Sequence, residues 1–253
     1  MGEATSDYLV FHMNPYLAVA LGSVGLLGAL LLQVVVRRYI PWIYWLAVVM
    51  VAIFGTMAAD VAHVVLGVPY LASSAAFAIV LVAVFSLWFR SEKTLDIHSI
   101  RNRRRELFYW ATVLATFALG TATGDMTAST LHLGYLASGL LFTVLFALPG
   151  FLYRVFKAND VFAFWFAYVM TRPLGASFAD WFGMPHSYGG LGYGRGPISL
   201  ILTVLIVILV GYVSLTERNG RRSSGSSAGL ALRAQDRSLD HAEPSLVDGI
   251  PND

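Results

Sequence analysis

Long apolar stretches separated by short polar segments dominate this chain. A transmembrane helix needs about 20 mostly apolar residues, and seven stretches meet that requirement. They are residues 15–36, 42–66, 70–89, 107–131, 135–153, 161–182 and 197–216. The loops between them are short, which favours antiparallel packing of neighbouring helices. The pattern predicts an all-α membrane protein with about seven transmembrane helices.

The overall composition supports this prediction. Hydrophobic residues make up 57% of the chain, charged residues 13%, and the mean hydropathy is +0.66. An ordinary globular domain carries about 25% charged residues, so this chain has too few to cover a soluble surface. The lack of cysteine excludes disulfides and Cys-ligated sites. A net charge of +2 does not favour nucleic acid, and the expected surroundings are a lipid bilayer.

Basic residues are concentrated after the first, third, fifth and seventh apolar stretches. They are Arg37, Arg38, Arg90, Lys93, Arg101, Arg103, Arg104, Arg105, Arg154, Lys157, Arg218, Arg221 and Arg222. The loops between the other stretches hold one basic residue, Arg195. The positive-inside rule then predicts that the basic loops and the C-terminus are cytoplasmic. Residues 217–253 have few large apolar groups and are expected to form a disordered cytoplasmic tail.

One spacing recurs at three places along the chain. A tryptophan is followed ten residues later by glycine, and an aspartate comes five residues after the glycine. The three sets are Trp45, Gly55 and Asp60; Trp110, Gly120 and Asp125; and Trp165, Gly175 and Asp180. A second apolar stretch follows each set, so the unit is a tandem helical hairpin. Residues 42–90, 107–157 and 161–216 are assigned to repeats two, three and four.

The N-terminal residues fit the end of the same unit. Gly2 and Glu3 precede Asp7 with the repeated spacing, and Tyr16-Leu-Ala opens a helix as Tyr-Leu-Ala does in two later repeats. Residues 1–37 are therefore assigned to a partial first repeat with one transmembrane helix. Three explanations stay open: a start site assigned too late, the loss of a helix, and a chance match.

The repeated Trp, Gly and Asp spacing resembles a family of bacterial polytopic membrane-anchored proteins. That family is built from four tandem copies of a two-helix repeat of unknown function. The resemblance covers about residues 1–216 and implies a helical membrane fold, but no established activity. In that family the first copy also has an aromatic-Trp pair and an intramembrane lysine, which have no counterpart here.

The repeated aspartates are expected inside the membrane, about 24 Å along each helix from the aromatic residue that precedes the tryptophan. An ionisable residue there costs about 2.5–3.5 kcal/mol on insertion scales and is functional by default. A Thr or Ser lies three or four residues before each aspartate on the same helix face. Arg172, beside Pro173, is expected to supply the counter-charge, either to Asp180 or to a substrate. The residues of the predicted cation site are Asp60, Asp125, Asp180, Thr56, Thr121, Ser177 and Arg172.

Two histidines extend this pattern. His63 is three residues past Asp60, and His132 is seven past Asp125. Carboxylate with imidazole suits Mn, Zn or Fe better than Ca, so these four residues are the predicted metal ligands. The alternative is that both histidines lie at the outer interface. No cofactor is predicted beyond a divalent metal ion as a substrate.

Two further patterns favour structural roles. Trp45, Trp110 and Trp165 are expected to anchor helix ends in an aromatic belt. The glycine-rich run 189–196 is expected to form an outer lid or tight turn, because it lacks the strand and lysine of a phosphate-binding loop. No catalytic constellation is recognisable, so no enzymatic activity is predicted.

These features lead to two functional hypotheses. The first is a multi-pass inner-membrane transporter or permease for a small cation, either a divalent metal or protons, which uses the repeated aspartates. The second is a non-transporting scaffold or sensor whose aspartates fix helix packing. A homo-oligomer is compatible with both. The aspartates are expected to converge on one cavity in a transporter and to face separate helix contacts in a scaffold.

Overall fold

The computed structural model describes residues 1–36, 39–100, 102–157 and 159–216. These ranges hold eight α-helices and no strand. They are α1 Gly2–His12, α2 Pro15–Val35, α3 Pro41–Asp60, α4 Tyr70–Glu92, α5 Arg103–Asp125, α6 Gly134–Phe156, α7 Asp160–Gly183 and α8 Arg195–Thr216. The predicted tail, 217–253, and the basic residues Arg37, Arg38 and Arg101 lie outside the described residues.

Six helices in the described ranges are long and apolar enough to cross a membrane: α2, α3, α4, α5, α6 and α8. The spans of α3 and α5 include the π-helical turns that continue them to Val65 and Thr130. The predicted all-α membrane fold is confirmed. The stretch 161–182 forms α7, which has 24 residues and is long enough to span a bilayer. It is less apolar than the other six because it contains Arg172, Tyr168 and Pro173.

The odd-numbered helices form the centre of the bundle. Helix α1 packs on α3, α3 on α5, α5 on α7, and α7 on α1, which closes a ring. The even-numbered helices pack outside it, α2 on α3, α4 on α5 and α6 on α7. Burial agrees, since 56% of the apolar window of α5 is buried but only 22% of that of α4. The first three repeats therefore each give their first helix to the ring and their second to the outside, and repeat four gives α7 to the ring.

Residues 1–206 form one compact unit, which contains the ring. Within this unit the start of α8 contacts α1, where the hydroxyl oxygens of Thr5 and Ser199 are 2.5 Å apart. From Val207 a second unit begins, and its described part is the continuation of α8.

Repeated glycines allow the ring helices to approach closely. A Cβ atom added at three of these glycines would collide with the neighbouring ring helix. In each case the residue that it meets lies three positions before the repeated glycine of that neighbouring helix. The pairs are Gly2 with Ala52, Gly55 with Phe117, and Gly120 with Arg172. Small residues at helix interfaces are a general device of membrane bundles. One contact is thus used three times around the ring.

Two of the three repeated tryptophans lie inside the bundle. Trp110 is 4% exposed and Trp165 is 5% exposed, whereas Trp45 is 36% exposed. Both buried indoles pack near Tyr109, with ring centroids 5.3 and 6.5 Å away. The indole N–H of Trp165 also donates to the carbonyl of Leu95 at 2.8 Å. The predicted lipid-facing belt is therefore wrong for Trp110 and Trp165, because protein rather than lipid surrounds them.

Candidate functional site

Carboxylates from all four repeats meet at one end of the ring, which we call the aspartate end. Carboxylate oxygens of Glu3, Asp125 and Asp180 lie within 4.8 Å of one another, and so do those of Glu3, Asp7 and Asp60. Both triads share Glu3. We call these five residues the acidic cluster. It brings the three sequence-predicted aspartates close to a common residue from α1.

Glu3 is held by hydroxyl groups from two other repeats. Its Oε2 accepts hydrogen bonds from Thr121 at 2.7 Å and from Thr56 at 3.2 Å. The two hydroxyl oxygens are themselves 3.1 Å apart. All three residues directly follow the repeated glycine in their own repeat. Equivalent positions therefore meet at the centre, and the predicted oxygen donors Thr56 and Thr121 lie there.

The carboxylates of the second triad have separate partners. Ser6 donates through its hydroxyl to Asp60 at 3.3 Å. Asp7 forms an ion pair with Arg195, with 2.7 Å between Oδ2 and Nε. Asp7 is buried, and Asp60 is half-buried at the aspartate end. This side of the cluster is therefore partly neutralised by a residue of the chain itself.

The carboxylates of Asp125 and Asp180 accept no hydrogen bond from the described residues. Asp180 is only 6% exposed, so solvent offers it little compensation. The hydroxyl of Ser177, which is 1% exposed, also has no partner within the described ranges. It faces α5, at 3.6 Å from a Cβ placed on Gly124. Buried polar groups without partners are costly, so this side of the cluster has unused capacity to bind a proton or a cation.

The formal charge of the acidic cluster is strongly negative. Five carboxyl groups face two cationic groups: the guanidinium of Arg195, which is ion-paired with Asp7, and the amino group of Met1, which interacts electrostatically with Glu3 and Asp180. Carboxylates this close repel one another unless protons or cations neutralise them. The arrangement is therefore suited to hold positive charge.

Arg172 does not pair with Asp180, which is one of the two roles that the sequence left open for it. Its guanidinium carbon lies 3.9 Å from the ring centre of Phe117 and 4.4 Å from that of Tyr168. No ion pair joins it to any described residue. Arg172 is eight residues before Asp180 on α7, about 12 Å along the helix axis. Arg172 therefore lies too far from Asp180 to pair with it, and the guanidinium that forms an ion pair within the cluster is that of Arg195. Contact of Arg172 with a substrate stays a prediction.

Neither predicted histidine joins the acidic cluster. The Nδ1 atom of His63 donates to the carbonyl of Val68 at 2.9 Å, and its ring stacks on Tyr70 with centroids 3.5 Å apart. A π-helical turn, Val61–Val65, starts directly after Asp60 and changes the angular spacing on which the prediction relied. His132 lies exposed in a turn with φ 54°. The candidate site is thus built from oxygen atoms alone.

A cavity of about 250 Å³ adjoins the cluster on the side away from the aspartate end. Glu3, Thr56 and Thr121 form its polar wall, and Phe117 and Arg172 also line it. Glu3 therefore faces both the other carboxylates and an internal space.

Glu3, Asp7 and Arg195 are well-connected members of the site that are not among its sequence-predicted residues. Glu3 and Asp7 were assigned to a partial repeat but not to the candidate site, although their spacing from Gly2 matches the other repeats. That spacing was a sufficient signal. In the sequence, Arg195 stands out only as the single basic residue in the loops that are otherwise free of Lys and Arg. Its pairing with Asp7 depends on the packing of α1 beside α8, which no local pattern shows.

Comparison with known families identifies the repeat itself. Residues 43–94, 108–159 and 163–219 each match the model of a Repeat of Unknown Function (DUF347). Each match begins within the first helix of a hairpin and extends past the end of the second, in α3–α4, α5–α6 and α7–α8. No curated protein and no solved structure matches the chain. Since the three matches cover more than half of its length, the chain belongs to the family of membrane proteins built from this Repeat of Unknown Function.

Proposed function

We propose that this protein binds a small, hard cation at the acidic cluster and moves it across the membrane. The observation that carries the proposal is the convergence of carboxylates from four repeats around Glu3. If the aspartates only fixed helix packing, each could do so at a separate contact between two helices. Carboxylates gathered in one cluster instead repel one another, and this repulsion opposes folding unless protons or cations neutralise it.

The donor atoms favour a particular class of cation. Carboxylate and hydroxyl oxygens suit hard ions such as Mg²⁺, Ca²⁺ and Mn²⁺, and imidazole or thiolate would favour softer ones. With both histidines outside the cluster, Zn²⁺ loses the nitrogen ligands that the sequence suggested. Protons compete for the same oxygens, so the ion and the proton are alternative occupants.

The surroundings of the cluster support movement as well as binding. Asp60 and Asp125 are half-buried at the aspartate end, and the cavity meets Glu3 from the other side. A cation at Glu3 would lie between these two spaces. With the basic loops in the cytoplasm, the aspartate end would face outward, and the cavity would lie on the inward side of the cluster.

Flux into proteoliposomes tests this proposal. We expect Mn²⁺ entry, measured by quenching of a trapped fluorescent chelator, with wild-type protein. Entry should fall at least about tenfold in Asp180→Asn and Asp125→Asn, because each removes a carboxylate oxygen that lacks another partner. Asp160→Asn is the matched control, since Asp160 is an exposed carboxylate at the start of α7. Wild-type flux in both cluster variants would contradict the proposal.

The scaffold hypothesis has its own supporting contacts. The hydrogen bonds from Thr56 and Thr121 to Glu3 and from Ser6 to Asp60 join different repeats. A scaffold role predicts no Mn²⁺ flux in any protein, together with a lower melting temperature in Asp60→Asn. That combined result would favour the scaffold over the transporter.

A further inference from the structure

Arg195 is fixed at the aspartate end by three different contacts. Its Nε atom lies 2.7 Å from Oδ2 of Asp7. Its guanidinium carbon lies 4.4 Å from the ring centre of Phe11, and a terminal nitrogen lies 3.1 Å from the sulfur of Met184. The side chain is 25% exposed. A positively charged group of the chain therefore already lies on the acidic cluster.

The loop before Arg195 presents it in a defined position. Gly189, Gly192 and Gly194 have φ values of 80°, 73° and 83°, a region that glycine adopts without strain. The backbone N–H of Leu191 donates to Trp181 at 2.7 Å, and that of Tyr193 donates to Phe182 at 3.1 Å. The loop is thus tied to the end of α7, and α8 starts at Arg195.

We propose that Arg195 is a tethered cation that competes with the transported cation for the triad of Glu3, Asp7 and Asp60. This inference rests on the proposed function. A group attached to the chain has an effective concentration in the millimolar range or above. A free cation must displace the guanidinium from Asp7, or bind beside it against charge repulsion. Arg195 thereby sets both the affinity of the site and the charge that it accepts.

Removal of the tethered charge should strengthen cation binding. We expect Arg195→Gln to lower the Kd for Mn²⁺ by about tenfold or more, since the competitor is lost. Arg195→Lys keeps a positive charge and should bind Mn²⁺ with nearly wild-type affinity. The matched control is Arg104→Gln, which removes an exposed arginine at the opposite end of the bundle. Titration of purified protein with Mn²⁺, followed by the electron paramagnetic resonance signal of the free ion, measures each Kd.

Arg195→Gln leaves the buried carboxylate of Asp7 without its ion-pair partner, which can prevent folding. Two further variants avoid this problem because both replace Asp7 with asparagine. In Asp7→Asn, Arg195 keeps its charge but loses its ion-pair partner. The double variant Asp7→Asn/Arg195→Gln lacks both charges, so it should bind Mn²⁺ about tenfold more tightly than Asp7→Asn.

The outcomes separate this inference from the proposed function. Tighter binding in Arg195→Gln, with Arg195→Lys unchanged, supports the competing role. Equal or weaker binding in Arg195→Gln and in the double variant, beside clear binding in wild type, overturns it and leaves cation binding at the cluster intact. No Mn²⁺ binding in any variant or in wild type overturns both.

Discussion

At the residue scale, Glu3 is the centre of the site. It belongs to both carboxylate triads and accepts hydrogen bonds from Thr56 and Thr121. The same repeat position is occupied by threonine in repeats two and three and by Ala176 in repeat four. Four equivalent positions therefore carry different chemistry, and a single acidic side chain joins the first repeat to the next two.

The bond between Thr121 and Glu3 should contribute measurably to stability. We expect Thr121→Val to lower the free energy of unfolding by about 1–2 kcal/mol, because it removes a donor from a buried carboxyl group. Thr112→Val is the control, since Thr112 lies buried on the same helix and its hydroxyl has no partner within the described residues. Chemical unfolding in detergent compares the two. An equal decrease in the free energy of unfolding in both variants would show that the hydrogen bond to Glu3 does not contribute to stability.

The aspartates could be predicted because their spacing is a local property of the sequence. Their partners could not be, because those depend on packing between repeats. Arg172 illustrates this limit: its place beside Pro173 suggested a membrane counter-charge, yet the side chain lies between Phe117 and Tyr168. The pairing of Asp7 with Arg195 joins residues from opposite ends of the described chain.

At the element scale, the hairpin repeat explains why the carboxylates converge. The first helices of the repeats form the ring, and glycines set the distance between three pairs of them. The periodicity of the sequence predicted the hairpins, but two features escaped it. The π turns after Asp60 and Asp125 alter side-chain direction, and neither turn itself contains a glycine or proline that would have predicted it. The glycines gave no indication of which helix each would contact.

The glycine contacts can be tested by adding a single methyl group. We expect Gly120→Ala to lower the free energy of unfolding by about 1–3 kcal/mol, the usual penalty for overpacking. Its Cβ would overlap that of Arg172 and lie 3.0 Å from the backbone nitrogen of Pro173. Gly28→Ala in α2 is the control, because a Cβ there meets nothing within 4 Å. If thermal unfolding shows Gly120→Ala to be as stable as Gly28→Ala, the close approach of α5 and α7 is wrong.

At the scale of the whole molecule, the repeats bring like charges from equivalent sequence positions together at one end of the ring. The sequence predicted the membrane fold and the repeated acids, because apolar length and regular spacing are readable from one chain. It did not show that α1 completes the ring, since α1 has only 11 residues and is too short to be recognised by hydropathy. The first repeat therefore contributes more to the candidate site than its length suggested.

The central claim is that the acidic cluster binds one cation through several repeats at once. The most direct measurement is the melting temperature of purified protein during titration with Mg²⁺, Ca²⁺ and Mn²⁺. A ligand that binds only the folded state stabilises it by about 2.7 kcal/mol at one hundred times its Kd. We expect at least one ion to raise the melting temperature of wild type and of Asp160→Asn, but not of Asp125→Asn/Asp180→Asn. The account is contradicted if no ion stabilises wild type, or if the double variant is stabilised to the same extent.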